Sequence, residues 1–177
     1  AAMAAEAYAR VDNRMAAVCV TSGPGATNAL TGVLCGWMDS IPMIVLSGQV
    51  RYDTTVRSSG LNIRTMGVQE YDVVRSAEPM TKYAVMVEKP EEIRYHLEKA
   101  LYLAINGRPG PCWLDIPLNV QSAVVETDEL EGFDSAKEEM GQEVAEQNMD
   151  LETLEQILDK IRESRRPVLF AGHGIRL

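Results

Sequence analysis

Ala16-Ala17-Val18-Cys19-Val20-Thr21-Ser22-Gly23-Pro24-Gly25-Ala26-Thr27-Asn28 is the stretch whose reading decides the fold class. Its first five residues are apolar without alternation, the pattern of a short buried strand. Ser22-Gly23-Pro24-Gly25 breaks that run, and Ala26 to Met38 continues as a helix of mostly small residues. Strand, glycine turn and helix in succession open a βα unit. A second continuous apolar run, Pro42-Met43-Ile44-Val45-Leu46, ends on Ser47-Gly48. Runs of this kind suit strands covered on both faces, as in a parallel sheet.

The same alternation extends in both directions. Ala1 to Arg10 is Ala-rich and helix-forming. Arg51 to Gly67 is polar and punctuated by glycine, with little periodicity. Lys82 to Val87 reads as a further strand. Pro90 to Ile105 is the clearest helix: Pro90 suits the first turn, Glu91 and Glu92 complement the helix dipole, and Ile93, Leu97, Ala100, Leu101 and Ala104 share one face. Gly107 supplies its stop, and Cys112 to Ile116 forms the next strand, closed by Pro117. Further on, Leu154, Ile157, Leu158 and Ile161 recur at helical spacing over Leu151 to Glu163. Pro167 to Ala171 then reads as a strand ending on Gly172-His173-Gly174. The expected architecture is α/β, a mainly parallel sheet flanked by helices over residues 1–122. An acidic linker over 123–150 leads to the first helix and strand of a second α/β domain over 151–177.

Bulk properties exclude several classes of function. The 177 residues are 46% hydrophobic and 24% charged, as in a globular protein with a real core. No apolar run approaches the roughly 18–20 residues needed to span a bilayer. The N-terminus has neither the basic start nor the apolar stretch of a signal peptide, so a cytoplasmic location is expected. It also lacks an initiator Met and opens inside a predicted helix, which reads as a fragment. Between Ala123 and Asp150 stand ten acidic residues and one basic residue, Lys137, so this stretch holds the entire net charge of −9. Such a run reads as a solvated linker; the net charge argues against nucleic acid as a partner, with the rest of the chain neutral. Cys19, Cys35 and Cys112 lack metal-ligand spacing and read as small buried hydrophobes in a reducing compartment.

In open parallel sheets, ligands gather at the carboxyl ends of strands, where Thr21 to Asn28 falls. Its glycines let backbone approach a ligand closely. The stretch matches neither the P-loop nor the dinucleotide fingerprint, and spacing alone leaves open a ligand cradle or a plain tight turn. Of the two histidines, His96 reads as a surface or packing residue on its helix. His173, between glycines at a strand end, is better placed for a ligand.

An ordered set of short motifs resolves part of this. Thr21 to Asn28, Asp39-Ser40-Ile41-Pro42, Ser47-Gly48-Gln49-Val50 and Gln69-Glu70 are followed by Thr81-Lys82-Tyr83, Gly107-Arg108-Pro109-Gly110-Pro111 and Asp115-Ile116-Pro117. Together they resemble the N-terminal, pyrimidine-binding domain of thiamine-diphosphate enzymes related to acetolactate (acetohydroxyacid) synthase, over residues 1 to about 121 and again from about 151. The resemblance implies a 2-oxo acid carboligase or decarboxylase whose hard chemistry is the cofactor's. It implies that Pro24, Gly25 and Asn28 line the aminopyrimidine or the reaction cavity and that Gln69 reaches the active site. Arg108 would pin a turn, and Asp39 and Gln49 would be structural, a turn acid and a strand-end amide. The catalytic glutamate of the family would fall just upstream of Ala1, so none is expected within the chain; Glu6 is a helix-face residue. Magnesium and the diphosphate would bind a C-terminal domain beyond this chain, in a homodimer or homotetramer with the active site between subunits. Gly172, His173 and Gly174 would touch FAD in flavin-containing members. The resemblance says nothing of a regulatory small subunit.

Two positions depart from the family. Acetolactate synthases usually carry a phenylalanine before the Gln-Glu pair, where Val68 stands, and a lysine after Asp-Ile-Pro, where Leu118 stands. In that family both residues lie near the substrate entry, and by that resemblance losing the charge at 118 should weaken attraction for a second anionic 2-oxo acid. A relative acting on another 2-oxo acid or carbon–carbon bond is the alternative reading. A non-catalytic nucleotide-binding or regulatory module on the same fold is a third.

Overall fold

The computed structural model describes residues 1–12, 14–137 and 150–176. They fall into two compact units, Ala1–Glu138 and Glu139–Leu177.

The first unit is built on four parallel strands: β1 (Ala16–Val20), β2 (Met43–Gln49), β3 (Tyr83–Met86) and β4 (Pro111–Pro117), in the order β1-β2-β4-β3. Its helices are α1 (Ala2–Asp12), α2 (Pro24–Thr27), α3 (Leu30–Met38), α4 (Val56–Ser59), α5 (Val73–Ala77), α6 (Ile93–Ile105) and α7 (Leu118–Gln121). Alternation along the central strands divides two cores. Met43, Val45 and Trp113 face α1, α3 and α5, joining Ala2, Ala5, Ala9, Val33, Val73 and Ala77. Ile44, Cys112 and Leu114 face the other way, against Ala100 and Ala104 of α6. The predicted parallel sheet flanked by helices is thus the observed one.

Local sequence explains how tightly these layers meet. A methyl added at Gly32 would lie 2.7 Å from both the Ala2 side chain and the Met3 backbone nitrogen, so α1 and α3 touch nearly backbone to backbone. Arg10 ties the same pair from outside, donating to Glu6 on its own helix and to Asp39 in the turn after α3. Arg108 donates to the Ser40 hydroxyl at 2.7 Å, holding a turn whose Ser40 has φ +59°.

Several expectations change. The helix read over Ala26 to Met38 is two pieces, α2 and α3, joined through Asn28 and Ala29. β1 is an edge strand covered on one face, so Ala17 and Cys19 are exposed, whereas Cys112 is buried as expected; burial pushes the Cys112 thiol up to about 12. The first part of the acidic stretch is largely exposed, as a solvated run should be, but it is not free of the first unit: the Phe133 ring packs on Tyr95 and Tyr102 at 5.9 and 5.5 Å. Glu98 accepts from the Phe133 backbone N–H, and Arg94 donates to the Leu130 carbonyl, so residues 130–133 are strapped to α6. Residues 138–149, the rest of the expected linker, lie outside the described residues. His96 packs as expected, its Nδ1 2.6 Å from the Tyr83 hydroxyl and its Nε2 3.7 Å from Glu92. Burial lowers its pKa, partly offset by Glu92.

The second unit holds α8 (Leu151–Glu163), capped by Asp150, whose carboxylate accepts from the Thr153 N–H at 2.6 Å and hydroxyl at 2.8 Å. The strand expected over Pro167–Ala171 does not form there. An apolar run becomes a strand only when a neighbour supplies its ladder partners, and Val168, Leu169 and Phe170 are 86–98% exposed. Among the described residues no helix is long and apolar enough to cross a membrane.

Candidate functional site

The carboxyl ends of β1, β2 and β4 open onto a groove of about 750 Å³. Thr21 and Ser22 rim it from β1, Ser47 to Val50 from β2, and Ile116, Leu118 and Gln121 from β4 and α7. None of its lining residues carries a charge: Val20, Leu46, Ile116 and Leu118 give apolar walls, and Thr21, Ser22 and Gln121 give polar edges. A flat heteroaromatic ring with a hydrogen-bonding edge fits such a lining; a diphosphate does not, since it needs cations or a magnesium ion.

The glycine turn runs from this rim. Gly23 takes φ +54°, a conformation glycine adopts freely, and α2 follows, with the Thr27 N–H bonded to the Gly23 carbonyl at 2.9 Å. A methyl on Gly23 would lie 2.2 Å from the Gln69 carbonyl oxygen. The turn at 66–71 is therefore pressed directly onto the turn at 21–28. Gln69 itself sits at φ +58°, left-handed backbone that a residue with a side chain seldom adopts. Glu70 braces this turn: its carboxylate accepts from the Val56 and Met66 N–H groups, each at 2.9 Å.

Of the residues singled out from sequence, the structure brings Gln69 against the glycine turn and puts Leu118 on the groove wall. Pro24 is exposed and Gly25 half-buried on α2, and Asn28, at the end of that helix, is exposed; all three lie next to the groove rather than lining it. Val68 is 87% exposed and is not among the lining residues. Gly172 and Gly174 lie in the second unit, exposed, with open space around each; His173 begins a short 3-10 turn there.

Beneath the groove lies a polar network that the sequence reading left as strand-end residues. The Trp113 indole N–H donates to the Ser47 hydroxyl at 2.8 Å, and Ser47 donates to Asp115 Oδ1 at 2.5 Å. Gln49 Nε2 donates to Asp115 Oδ2 at 2.9 Å and to the Tyr71 carbonyl at 2.8 Å. Asp115 is fully buried, and burial pushes its carboxyl up to about 6 against the pull of the Ser47 and Gln49 hydrogen bonds. The signal was spacing: Ser47 and Gln49, like Trp113 and Asp115, are two apart on a strand and so share a face. The register sets Ser47 opposite Asp115.

Residues 1–74 match the family described as thiamine pyrophosphate enzyme, N-terminal TPP binding domain. The acetolactate synthase large subunit of Lactococcus lactis is 36% identical over 171 residues, 97% of this chain and 28% of that protein. The mitochondrial acetolactate synthase catalytic subunit of Saccharomyces cerevisiae is 34% identical over 173 residues, 97% of this chain and 24% of that protein. The acetolactate synthase isozyme 1 large subunit of Escherichia coli is 34% identical over 171 residues, again 97% and 28%. The chain spans about a quarter of the length of these relatives. Over residues 1–74 the chain is similar to the thiamine pyrophosphate enzyme N-terminal domain family, and over nearly its whole length it is similar to acetolactate synthase large subunits.

Proposed function

We propose that the protein takes part in thiamine-diphosphate-dependent carboligation or decarboxylation of 2-oxo acids, gripping the aminopyrimidine end of the cofactor in the groove above β1, β2 and β4. One observation carries the reading: an uncharged groove at the carboxyl edge of a parallel sheet, rimmed by a glycine turn onto which the Gln69 turn is locked. When bound, thiamine diphosphate supplies the carbon nucleophile that adds to the 2-oxo acid. The residues of this chain bind and orient. Val20 and Ile116 offer apolar faces to the ring, and Thr21, Ser22 and Gln121 offer hydrogen bonds to its edge. Pro24, Gly25 and Asn28 border the cofactor from α2, and Gln69 faces the reaction cavity.

An uncharged groove supports a second element of the proposal: the diphosphate and its magnesium are held elsewhere, on a partner subunit of a homodimer or homotetramer. Residues 1–122 would form the cofactor domain, 123–150 a connection, and 151–177 the start of a central domain where Gly172, His173 and Gly174 meet FAD if flavin is used. The "large subunit" naming of the relatives supports a regulatory small subunit as a further partner. A cytoplasmic location belongs to the same reading.

Leu118 on the groove wall favours an acceptor other than a second pyruvate, because an apolar wall gives an anionic 2-oxo acid nothing to pair with. The test measures acetolactate formed from pyruvate, with thiamine diphosphate and magnesium present, by the full-length parent protein with and without Leu118→Lys. Carboligation is expected to rise several-fold in the variant. A fall would overturn the reading of position 118. The 177-residue chain by itself is expected to bind thiamine diphosphate weakly and to turn over no pyruvate; measurable turnover would count against the division of the cofactor between two surfaces.

A further inference from the structure

We propose that Asp115 is a positioning residue: through Gln49 it holds the Tyr71 carbonyl and so keeps Gln69 seated on Gly23. The inference rests on the site lying at this groove. Asp115 is wholly buried and Gln49 is 5% exposed, so the bond between them does not compete with water, while the bond from Gln49 to Tyr71 is part-buried. Every polar atom of the Gln49 side chain is engaged. Its Oε1 accepts from the Val50 N–H at 3.0 Å, and its Nε2 divides two hydrogens between Asp115 and Tyr71. Such an amide has one orientation open to it, and Asp115 selects it by accepting and never donating when ionised.

Cementing β2 to β4 would need less than this. Ser47 and Asp115 are opposite each other in the register and already bonded, inside a ladder that runs from Met43 to Gln49. The Gln49 bond instead leaves the sheet and reaches a loop carbonyl 22 residues away in sequence. That carbonyl also accepts from the Val73 N–H at 2.9 Å, marking the point where the loop enters α5. Gln69 is thus bracketed on its C-terminal side by Glu70, bonded to Val56 and Met66, and by Tyr71, bonded to Gln49. Left-handed backbone at a residue bearing a side chain persists only where its surroundings over-determine it. These bonds are the over-determination, and the Gln69 carbonyl against Gly23 is where it bears on the site.

The test is amide hydrogen exchange on the whole chain. Gln49→Met removes the link at nearly constant volume. The Met66, Glu70 and Val73 amides are expected to exchange at least ten-fold faster, while amides of β2 and β4 keep their protection. Unchanged loop amides, or loop and sheet accelerating together, would overturn the proposal. If Gln49→Met does not fold, the exchanged pair Gln49→Glu with Asp115→Asn takes its place. There the new amide at 115 donates to the new carboxylate at 49 and Ser47 keeps its acceptor, but Tyr71 loses its donor. The loop should stay fast with the sheet protected, and recovered loop protection would refute the link. Thiamine diphosphate titrated into both proteins separates this inference from the function it rests on. Because Gln49 also rims the groove, binding weakened at least five-fold by Gln49→Met supports it only together with the faster loop exchange, and equal binding overturns it. Lack of binding by the unaltered protein counts against the site assignment, while the exchange result still decides the link.

Discussion

Gly23 and Gln69 occupy the same kind of backbone, φ +54° and +58°, yet their substitutions should act in opposite directions. Gly23→Ala drives a methyl to 2.2 Å from the Gln69 carbonyl oxygen and into left-handed backbone. A loss of about 2 kcal/mol or more is expected, read from the urea midpoint. Gln69→Gly relieves left-handed backbone and should raise stability by about 0.5–1 kcal/mol, while thiamine-dependent activity falls. A Gln69→Gly protein less stable than the original would show that the side chain packs more than its backbone strains. Asp115 gives the third outcome at this scale. Its folded value of about 6 stands above its ordinary 3.8, because burial and the nearby Asp72 outweigh the hydrogen bonds from Ser47 and Gln49 and the charge of Arg57. The folded chain therefore holds a proton there that the unfolded chain has released. The resulting stability is complete below about pH 3.8 and is lost as pH rises through 6. Asp115→Asn cannot titrate, so the stability of the original relative to the variant should fall by on the order of 3 kcal/mol between pH 4 and pH 7. Denaturant unfolding at four pH values measures it, and a flat difference would mean that the carboxyl stays ionised when folded.

Elements were legible where local signals agree with tertiary demand. The run Ala16–Val20 is β1 to the residue, and Leu151–Glu163 is α8 to the residue, the first fixed by the glycine turn behind it and the second by the Asp150 cap. The break between α2 and α3 was not legible, because Asn28 and Ala29 carry no breaker and keep helical backbone angles. Nor was the absence of a strand over Pro167–Ala171, since pairing partners are a property of the surroundings. Gly32 shows how far packing overrides propensity. In an isolated helix, alanine in place of glycine gains roughly 1 kcal/mol. Here the added methyl meets Ala2 and the Met3 backbone at 2.7 Å, and backbone cannot step aside cheaply. Overpacking of this kind costs typically 1–3 kcal/mol. Gly32→Ala should therefore be destabilising on balance, by about 1 kcal/mol in chemical unfolding, and a more stable variant would mean that α1 is free to shift.

At the scale of the molecule, the parallel sheet followed from unalternating apolar runs, but the order β1-β2-β4-β3 did not, because crossover geometry leaves no mark on single strands. The site was half legible for the same reason. Strand-end motifs marked its edge, whereas the pairing of Gln69 with Gly23 and of Gln49 with Tyr71 depends on a loop returning from elsewhere. Where the first unit ends is a question the acidic composition answers one way and the packing another. Composition places the boundary near Ser122. Packing carries it past Phe133, whose ring lies on Tyr95 and Tyr102 and whose N–H bonds Glu98. A half-buried aromatic with one charge-assisted hydrogen bond contributes about 1–3 kcal/mol. Residues 1–137 alone should thus unfold cooperatively at nearly the temperature of the first unit in the whole chain. Residues 1–122 should melt about 5–10 °C lower, with Phe133→Ala in the longer piece reproducing most of that drop. Equal midpoints for the two pieces would return residues 123–137 to the role of linker, and calorimetry of the three proteins side by side distinguishes the outcomes.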